Sequence, residues 1–255
     1  MSANSFKSEG DIPDRSDPLE EAPSVAGLSP TDERQDQSGR PLFIVIDGVD
    51  GCGKSTQARL LIEGLTAKTR TGQNRDRGLG PVHLREPGST ELGERVRELL
   101  LDRGLHLEAE VETLLFAAAR RQMLDQLVAP ALRKGRDVVC ERFHPSTFAY
   151  QAVAGNLEPD AVLGLLHSWA NQPAPDLILL LDVPVKDASE RRGAATDRIE
   201  DKGNAFQLRV AEGYRIYAAQ HPKVVVIDGA RTPALVAADI TSAIESARSE
   251  DSTCS

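Results

Sequence analysis

The sequence predicts a three-layer α/β fold, a doubly wound, mainly parallel sheet between two layers of helices. Two observations predict it. From Pro41 onward, short runs rich in Val, Ile and Leu alternate with longer helical stretches. The runs are apolar throughout rather than at every second residue, as in strands covered on both faces. A glycine-rich loop also follows the first run directly, and sheets of this type take ligands at the C-terminal ends of their strands.

The elements follow in order. Residues 1–40 contain Pro13, Pro18, Pro23 and Pro30, and nine acids against four bases. They have no apolar period, cannot bury enough surface to offset ordering, and are expected to be a disordered acidic tail. The domain is expected over 41–248. Its first strand is 42–47, containing FIVID (Phe43 to Asp47), and a helix runs from Lys54 to about Lys68. Thr69 to Gly80 is a polar loop, and 81–84 a weaker strand. Helices over about 91–101 and 108–133 precede a strand at 136–140. Helix 158–170, strand 177–182, helices 184–192 and 204–219, strand 223–227 and helix 233–247 complete the alternation. The closing SEDSTCS is expected to fray.

Composition narrows the function. The 255 residues are 40% hydrophobic, enough for a substantial core, and carry a net charge of −9. A broad nucleic-acid or anionic-membrane surface is therefore not expected. Any polyanion must be held by a local cluster of cations. No apolar run approaches the ~20 residues that cross a bilayer. Cys52, Cys140 and Cys254 are odd in number and far apart, which fits neither a disulfide framework nor a zinc site. A cytoplasmic location is expected.

GVDGCGKST, Gly48 to Thr56, carries the chemistry. Gly48, then four residues, then Gly53-Lys54-Ser55 is the spacing of a phosphate-cradling loop. Gly48, Gly51 and Gly53 let the backbone curl so that the N–H groups of Val49, Asp50, Cys52 and their neighbours point inward. The helix starting near Lys54 adds its positive end. Lys54 can reach β- and γ-phosphates, and the Ser55 hydroxyl can ligate Mg²⁺. Cys52, beside this helix start and Lys54, is expected to have a lowered pKa and high reactivity. No guanine-reading NKxD-like stretch is present.

Three further stretches stand near predicted element ends. In LREPGST (Leu84 to Thr90), Arg85 is a phosphate-binding candidate. In ETLLFAAARRQ (Glu112 to Gln122), Phe116 and Arg120 are four apart on one helix face, a ring and a planar donor side by side. In VVCERFHPSTFAYQ (Val138 to Gln151), Glu141 suits a Mg²⁺-bound water and Arg142 a phosphate.

In combination these motifs resemble the thymidylate kinase family. The resemblance runs from about Pro41 to Ala247 and rests on FIVIDGVDGCGKSTQ, REPG with LGERVRELLL, LLFAAAR, ERFHPSTFAYQ, PDLILLLDV and ERRGAATDRIED. It implies the fold of P-loop nucleoside monophosphate kinases, Mg²⁺-dependent transfer of the γ-phosphoryl group of ATP to dTMP to give dTDP in dTTP synthesis, a lid at about 191–204, and a homodimer. Asp50 then looks like the group near the sugar 3′-hydroxyl. Arg85 and Glu86 fall at the acceptor-phosphate and metal region, and Arg97 lines the same pocket. Phe116 looks like the ring on thymine, and Arg120 like the donor to its carbonyl. Arg142 would hold the dTMP phosphate. Ser146, Thr147, Tyr150 and Gln151 look like the wall that reads the base and excludes a 2′-hydroxyl.

Two positions depart from the family pattern, and a third, with the lid, is similar to the bacterial type, in which the lid supplies the extra arginine. Glu141 stands where Asp is usual, and Ser89 follows REPG where Gly is common. Gly51 occupies the position that carries arginine in some members. The lid is arginine-rich instead, with Arg191, Arg192 and Arg198, so Arg192 or Arg198 is expected to join Lys54 and Arg142 in catalysis. Two other readings stay open at this point: a kinase for another nucleotide on the same fold, and a nucleotide-dependent switch with little turnover.

Overall fold

The computed structural model describes residues 40–70, 79–168, 171–193 and 198–251. The tail expected at 1–40 lies outside them except for Arg40. So do most of the polar loop expected at 69–80, residues 194–197 of the expected lid, and the last four residues.

Five parallel strands form one sheet in the order β2-β3-β1-β4-β5. They are β1 (Phe43–Asp47), β2 (Val82–Arg85), β3 (Val138–Glu141), β4 (Leu177–Asp182) and β5 (Val224–Asp228). The helices are α1 (Lys54–Arg70), α2 (Glu91–Leu101), α3 (Ala109–Met123), α4 (Ala129–Arg133), α5 (His144–Thr147), α6 (Pro159–His167), α7 (Val185–Arg192), α8 (Gly203–Gln220) and α9 (Pro233–Asp251). The long helix expected over 108–133 is α3 and α4 joined through a π-helical turn, Leu124–Val128.

β1 is buried along its whole length, and its alternate residues feed two cores. Ile44 and Ile46 pack with Leu61, Leu65, Ile240 and Ile244 of α1 and α9. Phe43 and Val45 pack with Met123, Leu124, Val128 and Phe148 on the opposite face. Each such side chain contributes about 1.5–3 kcal/mol on full burial. This two-sided covering makes β1, β3 and β4 read as unbroken apolar runs.

One stretch was not expected to be helical. His144–Thr147 forms α5, and Phe148–Val153 continues it as a π-helical turn. Phe148, Ala149, Tyr150, Gln151 and Ala152 are all buried there. A helix covered on every side shows no amphipathic stripe, so the period that reveals other helices is missing.

Strand order fixes where the motifs meet. Arg85 is in register with Glu141, and Ile46 with Glu141 from the other side. The Arg142 N–H donates to the carbonyl of Ile46 at 3.0 Å, and the Glu86 N–H to that of Glu141 at 2.9 Å. The loops leaving β1, β2 and β3 therefore emerge side by side at one end of the sheet.

Candidate functional site

The loop after β1 is shaped by its glycines. Gly51 has φ +85°, and a Cβ there would lie 2.0 Å from the Ala188 carbonyl oxygen of α7. No side chain fits at that position while α7 packs on the loop, so the arginine found there in some relatives of this pattern has no room here. Lys54 is buried, and its Nζ donates to the carbonyls of Gly48 at 3.0 Å and Val49 at 2.9 Å. Ser55 Oγ donates to Glu141 Oε2 at 2.5 Å, and His83 Nε2 lies 2.9 Å from Glu141 Oε1. A hydroxyl and a carboxylate thus meet beside Lys54.

Two cavities open at this end of the sheet. The larger is about 660 Å³ and is lined by Asp50 to Gln57 and by Arg85, Arg97, Arg142, Arg191 and Arg231. With Lys54 that makes six cations against Asp50, Glu86 and Glu141, the local positive cluster that an acidic chain needs to hold a polyphosphate. The smaller, about 210 Å³, is lined by Leu100, Phe116, Arg120, Ser146, Thr147, Tyr150, Gln151 and Ile199, among others. Asp50, Glu86, Arg97 and Arg142 line both. Gly48 and Val49 line neither; the Val49 side chain belongs to the core.

Arg142 and Asp50 stand at the junction. Their side chains form an ion pair, and Tyr150 OH donates to Asp50 Oδ2 at 2.7 Å. Burial works against the Asp50 charge, yet Arg142, Lys54, the Tyr150 hydroxyl and Arg192 outweigh it and hold the carboxyl at about 2. Burial likewise opposes the charge of Arg142, and Asp50 more than compensates. Arg142 has φ +67°, a left-handed backbone that a non-glycine residue rarely adopts. Ser89 shares it at φ +65°, which explains why glycine suits that position. Its Oγ accepts from the Arg85 N–H at 2.9 Å and its own N–H donates to Glu94 at 2.8 Å.

The turn after Arg142 is held by a residue the sequence did not single out. Asp47, fully buried at the end of β1, accepts from the N–H groups of Gly48, Phe143 and Ser146 and from the hydroxyls of Ser146 and Tyr214, all at 2.7–3.1 Å. A carboxylate closing an apolar strand was the available signal.

In the smaller cavity, Arg120 is fully buried. Its Nε donates to Glu86 Oε2 at 2.9 Å, its Nη2 pairs with Glu86 Oε1, and Nη2 also reaches Thr147 Oγ1 at 2.9 Å. Its Cζ lies 4.7 Å from the centre of the Phe143 ring. Its Nη1 is buried and finds no partner among the described residues. Glu86 was expected among the metal ligands, but its carboxylate is instead committed to Arg120. Burial pushes that carboxyl upward against the pull of Arg120. Gln151 Nε2 donates to Glu112 Oε2 at 2.8 Å, while Gln151 Oε1 is buried without a partner among the described residues. Glu112 was missed too. Its spacing with Phe116 and Arg120, i, i+4 and i+8, already placed it on the same helix face.

The lid arginines separate. Arg192 lines a small cavity with Val49, Asp50 and Gln207, against the phosphate loop. Arg191 donates to the carbonyls of Gly229 at 2.9 Å and Ala230 at 3.1 Å, on the wall of the larger cavity. Arg198 lines neither main cavity. It donates to the Leu100 carbonyl at 2.9 Å and to Glu112 Oε1 at 2.7 Å. The expectation of a reactive Cys52 is corrected. The residue is 2% exposed, and burial pushes its thiol up despite Lys54.

Comparison with known proteins gives the family. Residues 46–240 match the family model described as thymidylate kinase. The chain is 38% identical over 192 residues to the thymidylate kinase of Fervidobacterium nodosum, covering 75% of this chain and 92% of that one. It is 42% identical over 194 residues to that of Cutibacterium acnes, covering 74% and 89%. The crystal structure of thymidylate kinase from Ehrlichia chaffeensis superimposes with a TM-score of 0.63 at 28% identity, covering 80% of this chain and 99% of that one.

Proposed function

Because the chain belongs to the thymidylate kinase family, and so transfers the γ-phosphoryl group of ATP to dTMP to give dTDP, we propose that it does so across the two cavities that Arg142 and Asp50 join. The reaction is a step toward dTTP. The larger cavity takes ATP, with its phosphates against the N–H groups of Asp50 to Thr56 and the start of α1. Lys54 leaves the loop carbonyls for the β- and γ-phosphates. The smaller cavity takes dTMP.

One observation carries the acceptor assignment. Three buried polar atoms without hydrogen-bond partners among the described residues belong to residues lining the smaller cavity; Glu86 Oε1 is ion-paired with Arg120, which leaves the donor Arg120 Nη1 and the acceptor Gln151 Oε1 for a ligand. Thymine presents the complementary edge, a carbonyl at position 4 and an N–H at position 3. Phe116 lies on the ring of the base, and Arg142 holds the dTMP phosphate. Arg97 lines both cavities and adds charge at the same phosphate. Tyr150 and Asp50 close the sugar end, and Ser146 and Thr147 complete the wall. Arg85, bound to Glu94, flanks the phosphates from the C-terminal end of β2.

The attacking phosphate oxygen is already anionic, so no general base is required. Alignment and charge neutralisation do the work. Ser55 Oγ and Glu141 supply the hard oxygen donors that suit Mg²⁺, which binds through one or two protein oxygens plus substrate phosphates. They would hold it there, Glu141 through water, and the ion would neutralise charge on the β- and γ-oxygens. Arg192, set against the phosphate loop and Asp50, is the lid arginine placed to act in the transition state. Arg198 anchors the C-terminal part of the lid to Leu100 and Glu112.

We read 41–248 as the kinase domain, with its lid at about 191–204, and the protein as cytoplasmic. Among the described residues no helix is long and apolar enough to cross a membrane. Leu92 and Leu99 on α2, with Val111 and Leu114 on α3, are exposed and support a homodimer through these helices. A coupled assay with MgATP and a panel of nucleoside monophosphates tests the acceptor reading. The expected order of kcat/KM is dTMP, then dUMP, with dCMP far behind; dCMP equal to dUMP would sink it.

A further inference from the structure

We infer that Glu112 is a positioning residue for base selection, fixing which way the Gln151 amide faces and tying that choice to the C-terminal part of the lid. The inference rests on the acceptor pocket proposed above. An amide side chain can present either its oxygen or its nitrogen to a cavity, and the two ends read opposite base edges. Glu112 removes the choice. It is 1% exposed, and a carboxylate only accepts hydrogen bonds, so the Gln151 atom 2.8 Å from Glu112 Oε2 is the amide nitrogen. The buried, unpartnered atom is therefore the oxygen, an acceptor for a ring N–H. Thymine and uracil carry that N–H at position 3. Cytosine carries a bare acceptor there.

The other oxygen of Glu112 faces away from Gln151. Oε1 accepts from Arg198 Nη1 at 2.7 Å and from Lys202 Nζ at 3.3 Å. Arg198 is itself held by the Leu100 carbonyl. Leu100 and Ile199 line the same cavity as Gln151. Glu112 thus joins the base-reading amide on one side to two cations of the segment closing that cavity on the other.

Glu112→Gln tests this. A neutral amide at 112 can donate as well as accept, so Gln151 is free to present its nitrogen to the cavity. The expected result is a folded protein with an unchanged KM for ATP and a raised KM for dTMP. The preference for dTMP over dCMP should narrow by about ten- to a hundredfold, the scale for one mispaired buried group. Glu112→Gln with Gln151→Glu should recover much of the preference, because the amide at 112 then donates and a carboxylate oxygen still faces the base. That double variant carries the test if the single one does not fold. A folded Glu112→Gln protein with unaltered dTMP-over-dCMP preference overturns the inference, as does a double variant no more selective than the single. A parent enzyme without that preference overturns the acceptor-pocket reading and this inference with it, whereas a selective parent with an indifferent Glu112→Gln overturns the role of Glu112 alone.

Discussion

Replacing Arg120 by methionine should act twice, and the two effects can be separated. Arg120 and Glu86 form a pair in which both side chains are almost wholly buried, at 1% and 2% exposure. Removing the cation leaves a carboxylate without its partner, a defect that typically costs about 3–5 kcal/mol. That is a fifth or more of the stability of a domain worth roughly 5–15 kcal/mol. The penalty should shrink as pH falls, since a protonated Glu86 needs no cation. Arg120→Met with Glu86→Met removes both charges and fills similar volume, so its stability should return to within about 2 kcal/mol of the parent. Its kinetics then report on the base alone. Losing a hydrogen bond from a charged donor costs about 1.5–3 kcal/mol, a fall of roughly 10- to 150-fold in kcat/KM for dTMP. The dUMP-to-dCMP gap should narrow as well. Denaturant unfolding and a coupled steady-state assay measure the two terms. A single variant as stable as the parent refutes the account of the ion pair. A double variant keeping kcat/KM for dTMP within about threefold refutes the account of the base edge.

Four further outcomes are expected. Lys54→Ala should keep its fold, because its Nζ meets only loop carbonyls and the Cys52 sulfur, and should lose about 10²–10³-fold or more in kcat; near-normal turnover contradicts the phosphate-loop role. Arg192→Ala should lower kcat far more than it raises the KM for ATP, and an effect on KM alone would make Arg192 a ground-state contact. Asp50 has its folded pKa lowered from 3.8 to about 2, so its stabilising contribution is fully present above about pH 4 and disappears as pH falls through 2. It amounts to about 2 kcal/mol, and acid unfolding of Asp50→Asn should show a shallower slope in that window, an unchanged slope counting against the pairing with Arg142. Cys52, buried with its thiol pushed up, should react with a thiol reagent more slowly than an exposed cysteine, with or without ATP; rapid labelling of the folded protein contradicts its placement.

The sheet and most helices were legible because their signals are local. β1, β3, β4 and β5 are apolar runs, β2 (VHLR) giving the weaker signal, and Thr90 caps α2 by accepting from the Gly93 N–H, as its position before Glu91 suggests. The phosphate loop was legible for the same reason, since a spacing of glycines, lysine and serine is a local feature. What escaped was set by neighbours distant in sequence. Glu86 reads as a free carboxylate until Arg120, 34 residues on, claims it. Cys52 sits at a helix start that favours thiolate, but burial decides the sign. Arg198 and Arg192 are equivalent letters in an arginine-rich segment. Only packing sends one to Leu100 and Glu112 and the other against the phosphate loop.

Asp47 never needs to touch a substrate, yet it fastens the first residue of the donor loop, the turn that carries the acceptor arginine, and Tyr214 of α8 to one buried carboxylate. The proposed donor and acceptor sites are therefore expected to share one melting transition. Warming that loosens the turn after Arg142 also releases Gly48, and strain on α8 reaches both through Tyr214. Heat should remove ATP binding and dTMP binding in a single transition, with no interval in which a half-working enzyme holds one nucleotide and hydrolyses it without a partner.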